Sequence, residues 1–300
     1  MTTILVTGAT GFVGAHVLNR LATRPETRLR ALVRNHATAS VPASVECVQG
    51  NVHRSDALSA ALEGVDHLVH AAAITADHKE PYRGAYEHVN RVGTENLMTA
   101  AAKAGVQRVV LMSGLGTRPA PEGTYMATRW GMEEAVRQSG IPYVILQPSV
   151  LFGAAAPFVA ALARLAKRSP VLPLLGGGQL RFQPLWIEDL VTCIDRCLAD
   201  QAPLGEALPI GGAEQLTFRE VLGEICAALG VQRLMVPLPL AVARVQATVM
   251  TAVLPRPPLT PAALELFTFD NATDLHSVER TFGFTPRGFR EQVRQHGLDS

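Results

Sequence analysis

The chain carries little charge for its length, and the two signs balance. Only 18% of its 300 residues are charged, 27 Lys and Arg against 26 Asp and Glu, for a formal net charge of +1. That excludes a basic field able to gather nucleic acid, so no nucleic-acid partner is expected. No run of like charge marks a solvated tail. Cysteine is scarce as well, with four scattered at Cys47, Cys193, Cys197 and Cys226. Cys193 and Cys197 could share a helical face, but no His or Cys pair stands near them at zinc spacing. They read as buried thiols, and no metal site is expected. Nothing in that count demands a disulfide, which suits a reducing cytoplasm. Long apolar runs are missing too. The most apolar late stretch, residues 238–254, is interrupted by Pro239, Arg244 and Gln246 and is too short to span a bilayer. The first strand begins within three residues of Met1, which leaves no room for a signal peptide. The expectation is a cytoplasmic protein without a transmembrane segment.

What is present is apolar and regularly spaced. Hydrophobic residues make up 48% of the chain, enough for one large or two intimate domains. In the first half, short apolar strands alternate with longer amphipathic segments. Strands are expected near residues 4–6, 29–33, 45–48, 67–70, 108–112 and 143–146. Helices are expected up to Leu21 and at about 54–62, 86–103 and 125–138. This alternation argues for a parallel, doubly wound α/β sheet with helices on both faces. Near-continuous apolar strands support burial on both sides. After Pro148 the pattern changes, with joints rich in Pro and Gly between shorter helical stretches. Residues 1–150 are expected to form one domain and 151–300 a smaller, mostly helical region. Residues 184–211 are expected to return in part to the first domain. No internal repeat or low-complexity segment is seen.

The first strand runs into Thr7-Gly8-Ala9-Thr10-Gly11-Phe12-Val13-Gly14, which opens a helix. The first glycine permits a tight turn, the second lets backbone approach a pyrophosphate, and the third lets helix and strand pack closely. Helix N-terminal N–H groups and the helix dipole favour the phosphate charge. Gly8, Thr10, Gly11, Phe12, Val13 and Gly14 are therefore candidate dinucleotide contacts. Dinucleotide sites that prefer NAD(H) usually end the second strand with an acid for the ribose hydroxyls. Here that strand ends Val33-Arg34-Asn35. Arg34 suits a 2′-phosphate through its forked donors, so NADP(H) is favoured and NAD(H) stays possible. Asn51, with Val52 beside it, is a candidate adenine contact, and Gly50-Asn51 can equally form a simple turn.

The Gly-x-x-Gly-x-x-Gly spacing resembles the short-chain dehydrogenase/reductase superfamily in its extended or atypical branch, with NAD-dependent epimerase/dehydratase-like members. Other segments carry the resemblance further: His70-Ala71-Ala72-Ala73, His88-Val89-Asn90 with Gly93-Thr94, Ser113, Tyr125 to Arg129, Leu146-Gln147-Pro148-Ser149 with Phe152-Gly153, and Gln183 to Leu190. It is nearest to bacterial relatives of the Rossmann-fold accessory subunit of respiratory complex I. The resemblance implies a Rossmann sheet with a helical C-terminal substrate region, and cofactor contacts at Ala71, Ala72, Ala73, Asn90, Pro148, Ser149 and Val150. It implies a catalytic set in which Tyr125 moves the proton, Ser113 holds the substrate oxygen and a lysine four residues after the Tyr assists. This sequence has Arg129 there. A positive charge is kept, but arginine is a wider, planar group on another stem. Three readings stay open: Arg129 replaces the lysine, the protein binds cofactor without turnover, or the substrate needs less acid–base help.

The second half is strongly apolar. Phe158, Leu162, Phe182 and Trp186 suggest a small apolar substrate, with plain core packing as the other reading of each. Val242, Val245, Val249 and Val253 recur at helical spacing. One arginine on the opposite face is too little for a membrane-surface helix, so a domain-core helix or a homodimer contact is expected. Three functions follow. The first is an NADP(H)-dependent oxidoreductase acting on a carbonyl or alcohol. The second is a non-catalytic dinucleotide-binding module in assembly or redox sensing, and the third a nucleotide-sugar epimerase or dehydratase.

Overall fold

The computed structural model describes residues 1–53 and 55–298. The expected helix start at Arg54 lies outside the described residues. A seven-stranded sheet forms the core of the first compact unit. Its order is edge strand Glu206–Ile210, then β6 (Tyr143–Pro148), β5 (Arg108–Met112), β4 (His67–His70), β1 (Thr2–Thr7), β2 (Thr27–Val33) and β3 (Glu46–Gln49). The six strands from β6 to β3 pair in parallel. From β1 the chain winds outward through β2 to β3. It then crosses back to β4 and winds the other way. β1 and β4 are therefore neighbours at the point where the strand order reverses, and both leave the sheet there at their C-terminal ends. Open α/β sheets bind ligands in the crevice at that position.

The strands are apolar along most of their length because both faces are covered. Leu5 and Val6 of β1 and Leu68 and Val69 of β4 are fully buried. On one face Leu5, Leu68, Leu111 and Ile145 meet Leu58 and Leu62 of α2 (Ser55–Leu62), and Leu97, Met98 and Ala101 of α3 (Gly93–Ala104). Burial of such side chains contributes about 1.5–3 kcal/mol each.

The long helix expected from residue 86 begins as a π-helix, Glu87–Val92, and continues as α3. The wider turn carries Asn90, which is fully buried. Its side chain accepts from the Ile74 N–H at 2.8 Å and donates to the Ile74 carbonyl at 3.0 Å. The peptide leaving β4 is thus clamped at both of its polar groups.

Two compact units divide the chain. The first comprises Met1–Ile74, Glu80–Gln147 and Val191–Leu208, and the second Thr75–Lys79, Pro148–Leu190 and Pro209–Ser300. In the first, the buried Arg108 donates from its guanidinium to the Cys197 carbonyl at 2.7 Å and to Asp200. Arg24 pairs with Asp195 at 2.5 Å. The second unit is built on an aromatic core. Phe182 is buried against Phe158, Phe218 and Phe267, with ring centroids 5.5–5.8 Å apart, and Trp186 packs edge-on against Phe152 at 5.1 Å. Phe182 and Trp186 are therefore core residues, 1% and 8% exposed, and do not offer their rings to a ligand.

Of the two expectations for the valine segment, the core helix fails. Val242, Val245, Val249 and Val253 lie on helix Leu240–Val253 as the spacing predicted, but they point outward and are 46–75% exposed. The buried face of that helix is made by Ala243 and Ala247, which are small enough to let the helix lie close on its support. It is not a core helix.

His70, at the end of β4, is fully buried. Its Nδ1 lies 2.7 Å from the Thr7 hydroxyl and its Nε2 2.9 Å from the Thr94 hydroxyl. Thr94 donates its own proton to the Asn90 carbonyl at 2.5 Å. It must then accept from Nε2–H, which leaves Nδ1 to accept from Thr7. A neutral ring satisfies this chain, and burial pushes the imidazole down from 6.5 to about 4. The unfolded chain takes up this proton first as pH falls. The stability held by the neutral ring is present above pH 6.5 and is lost as pH drops from 6.5 towards 4, by about 3 kcal/mol. Urea titrations at several pH values check this. His70→Gln keeps hydrogen bonds without titrating, and its stability profile is expected to be flatter than wild type over that window.

Candidate active site

The glycine loop is shaped by close approach. Gly8 has φ +69°, and a Cβ there would lie 2.5 Å from the Ala71 carbonyl carbon. A Cβ on Gly14 would lie 2.2 Å from the Gly8 carbonyl oxygen. β1, α1 (Phe12–Leu21) and the chain leaving β4 therefore converge at backbone distance. Gly11 caps α1 with extended backbone and no side-chain hydrogen bond, and the first turn holds no acid. Thr10 and Gly11 are exposed and Phe12 and Val13 half-buried, while Gly14 is buried. The helix start thus presents N–H groups with no side-chain partner, a fit for an anionic pyrophosphate. Ala71 and Ala72 are half-buried and Ala73 exposed, along the same opening.

Arg34 follows β2 and is exposed, with no ion pair or hydrogen bond to a described residue. Its neighbour Asn35 is occupied locally, accepting from the Ala37 N–H at 3.0 Å. Beside it, Gly50 donates to the Val33 carbonyl at 2.9 Å, and Asn51 accepts from the His53 N–H at 2.9 Å. Asn51 therefore forms the turn. Val52 is buried, and a Cβ on Gly93 would meet its Cγ2 at 2.5 Å.

The catalytic candidates sit on or against α4 (Tyr125–Arg137). Thr124 caps this helix, accepting from the Ala127 N–H at 3.2 Å. Tyr125, Arg129, Glu133 and Arg137 recur every fourth residue and share one face. Tyr125 is 6% exposed and packs edge-on against Tyr86 at 5.2 Å. The Arg129 guanidinium carbon stands 5.8 Å from the Tyr125 ring centroid. Arg129 has no ion pair or hydrogen bond to a described residue. Its head fills the space beside Gly114, where a Cβ would come within 1.7 Å of Nη2. A glycine directly after Ser113 thus gives the wide arginine its room.

Ser113 leaves β5 and donates to Glu133 at 2.5 Å. Glu133 is fully buried. It also accepts from Gln147 at 2.8 Å and pairs with Arg137 at 2.6 Å. Arg137 in turn lies 4.7 Å over the Trp130 ring. Glu133 and Gly114 were not among the residues singled out from the sequence. The fourfold spacing from Tyr125 and Arg129 was the available signal for Glu133.

Pro148, Ser149 and Val150 belong to the second unit. Ser149 is 3% exposed and donates to Asn271, with Oδ1 at 2.8 Å, and Val150 N–H donates to the same oxygen at 3.0 Å. The Ser149 hydroxyl is thus engaged within its own unit.

A family model described as NAD(P)H-binding matches residues 8–160, just over half of the chain and the whole span from Gly8 past Ser113 and Tyr125. The chain belongs to the NAD(P)H-binding family. It is similar to the (4-alkanoyl-5-oxo-2,5-dihydrofuran-3-yl)methyl phosphate reductase of Streptomyces griseus, 28% identical over 98% of this chain and 97% of that one. It is also similar to the ceramide reductase of Caulobacter vibrioides, 32% identical over 57% of this chain, of which it spans 53%. The crystal structure of gox2253 superposes with a TM-score of 0.75 at 25% identity, covering 100% of both chains. The Rossmann-type sheet and the reductase and epimerase relatives agree with the dinucleotide fit of the glycine loop.

Two outcomes test the α4 face. Glu133→Gln removes the buried charge that pairs with Arg137, which keeps only Glu134 at 2.8 Å, and is expected to cost about 2 kcal/mol in thermal unfolding. Gly114→Ala pushes only the mobile end of Arg129, so the melting temperature should hardly move. NADPH binding is expected to weaken about tenfold, with partial recovery when Arg129→Lys is added.

Proposed function

We propose that this protein is an NADP(H)-dependent oxidoreductase that reduces a carbonyl, or oxidises the corresponding alcohol, on a small apolar substrate. The observation that carries the reading is the unpaired Arg129 guanidinium held beside the Tyr125 ring by Gly114. Gly8, Gly11 and Gly14 would hold the pyrophosphate, and Arg34 the 2′-phosphate. When bound, the nicotinamide supplies or accepts the hydride. Tyr125 gives a proton to, or takes one from, the substrate oxygen. A phenol with an unperturbed pKa of ~10 needs a nearby positive charge to do so near neutrality, and Arg129 provides it. The reductase names of several relatives favour the same direction of chemistry.

One observation favours a second reading, a non-catalytic NAD(P)H-binding module. Ser113 spends its only hydroxyl proton on Glu133, so in this arrangement it offers lone pairs and no donor to a carbonyl oxygen. An oxidoreductase must either turn that hydroxyl or let a substrate alcohol donate to it.

Fluorescence titration with NADPH and NADH, followed by NADPH oxidation across a panel of apolar aldehydes and ketones, separates the readings. Turnover that falls by about a hundredfold or more in Tyr125→Phe is expected for the enzyme. Binding without Tyr125-dependent turnover favours the module. Arg34→Ala is expected to lower NADPH affinity about tenfold and leave NADH affinity unchanged. Equal loss for both cofactors would remove Arg34 from the 2′-phosphate site.

A further inference from the structure

Large apolar side chains are exposed mainly in one part of the second unit. Of the twelve such residues among those described, seven fall between residues 234 and 254: Leu234, Val236, Val242, Val245, Val249, Val253 and Leu254. An eighth, Val171, is the strand partner of Leu234. The four valines follow one another at intervals of three and four along helix Leu240–Val253, so they form a single stripe. They are exposed because Ala243 and Ala247 make the opposite, buried face. Valine loses side-chain freedom in a helix, and on a water-facing stripe no packing offsets that loss.

The segment that bears the stripe carries charge of one sign. Residues 225–264 contain no Asp or Glu, and carry Arg233, Arg244 and Arg256. The helix Pro157–Arg168, which leads into the strand bearing Val171, also lacks acids and exposes Arg164, Lys167 and Arg168. The single arginine on the valine helix is thus a small part of the available positive charge.

We infer that this stripe docks on an anionic lipid bilayer surface, with the valines in the headgroup–acyl boundary and the arginines on lipid phosphates. A second copy of this segment would bring no acid to pair with these arginines. An anionic leaflet supplies the missing counter-charge, and hydrocarbon covers the valines. No helix among the described residues is long and apolar enough to cross a membrane, so the contact is one of lying on the surface. The inference does not depend on the proposed function.

The test is flotation of the full chain with phosphatidylcholine vesicles, with and without phosphatidylglycerol, alongside light scattering without lipid. Wild type is expected to float with the phosphatidylglycerol vesicles and to lose that binding in high salt. Val245→Asp with Val249→Asp is expected to lower the partition coefficient about a hundredfold. Both positions are exposed, and unchanged circular dichroism and NADPH titration verify that the fold is kept. Arg244→Glu, which leaves the valines intact, is expected to weaken binding only to the anionic vesicles. Wild type that ignores both vesicle types overturns the proposal. If the double variant then turns a dimer into a monomer, the stripe is a contact between copies.

Discussion

The site depends on three stretches of backbone meeting without side chains between them. The Gly8 carbonyl lies where a Gly14 side chain would be, and Gly8 itself sits on the peptide between Ala71 and Ala72. These contacts bring the end of β1, the start of α1 and the exit of β4 together at the point where strand order reverses. Any Cβ at either glycine must move backbone, which close-packed neighbours resist. The opening that follows is lined by N–H groups because nothing else is near enough to cover it.

The same economy of side-chain volume recurs on α4. Gly114 admits the Arg129 head, and a buried carboxylate anchors the stripe one turn further on. Glu133 gathers a hydroxyl, an amide and a guanidinium from Ser113, Gln147 and Arg137. A buried charge is tolerated when it is paired and hydrogen-bonded in this way. The result is a rigid platform beneath Tyr125 and Arg129. Ser113 is oriented by its bond to that platform.

Much of this could be read from residues alone, since strand and helix periods are local properties. β4 falls on residues 67–70 and α4 starts at Tyr125, both as the apolar spacing implies. The glycine loop was legible because its role is written in backbone requirements. What escaped were features decided across the chain. The bond of the Ser149 hydroxyl to Asn271, 122 residues away, could not be read from the sequence. Phe182 and Trp186 could be read as ligand-facing or as core, and packing chose core. The valine helix shows the reverse, because its apolar spacing predicted the helix while only tertiary structure decides which side is covered.

The π-helical start of α3 has a consequence for the whole segment. One residue more per turn than the α-helix allows shifts the angular phase of everything that follows by about 100°. Asn90 can therefore turn towards Ile74 while Leu97, Met98 and Ala101 still face the sheet. The single extra residue lets one continuous element serve a polar clamp at one end and an apolar seam at the other.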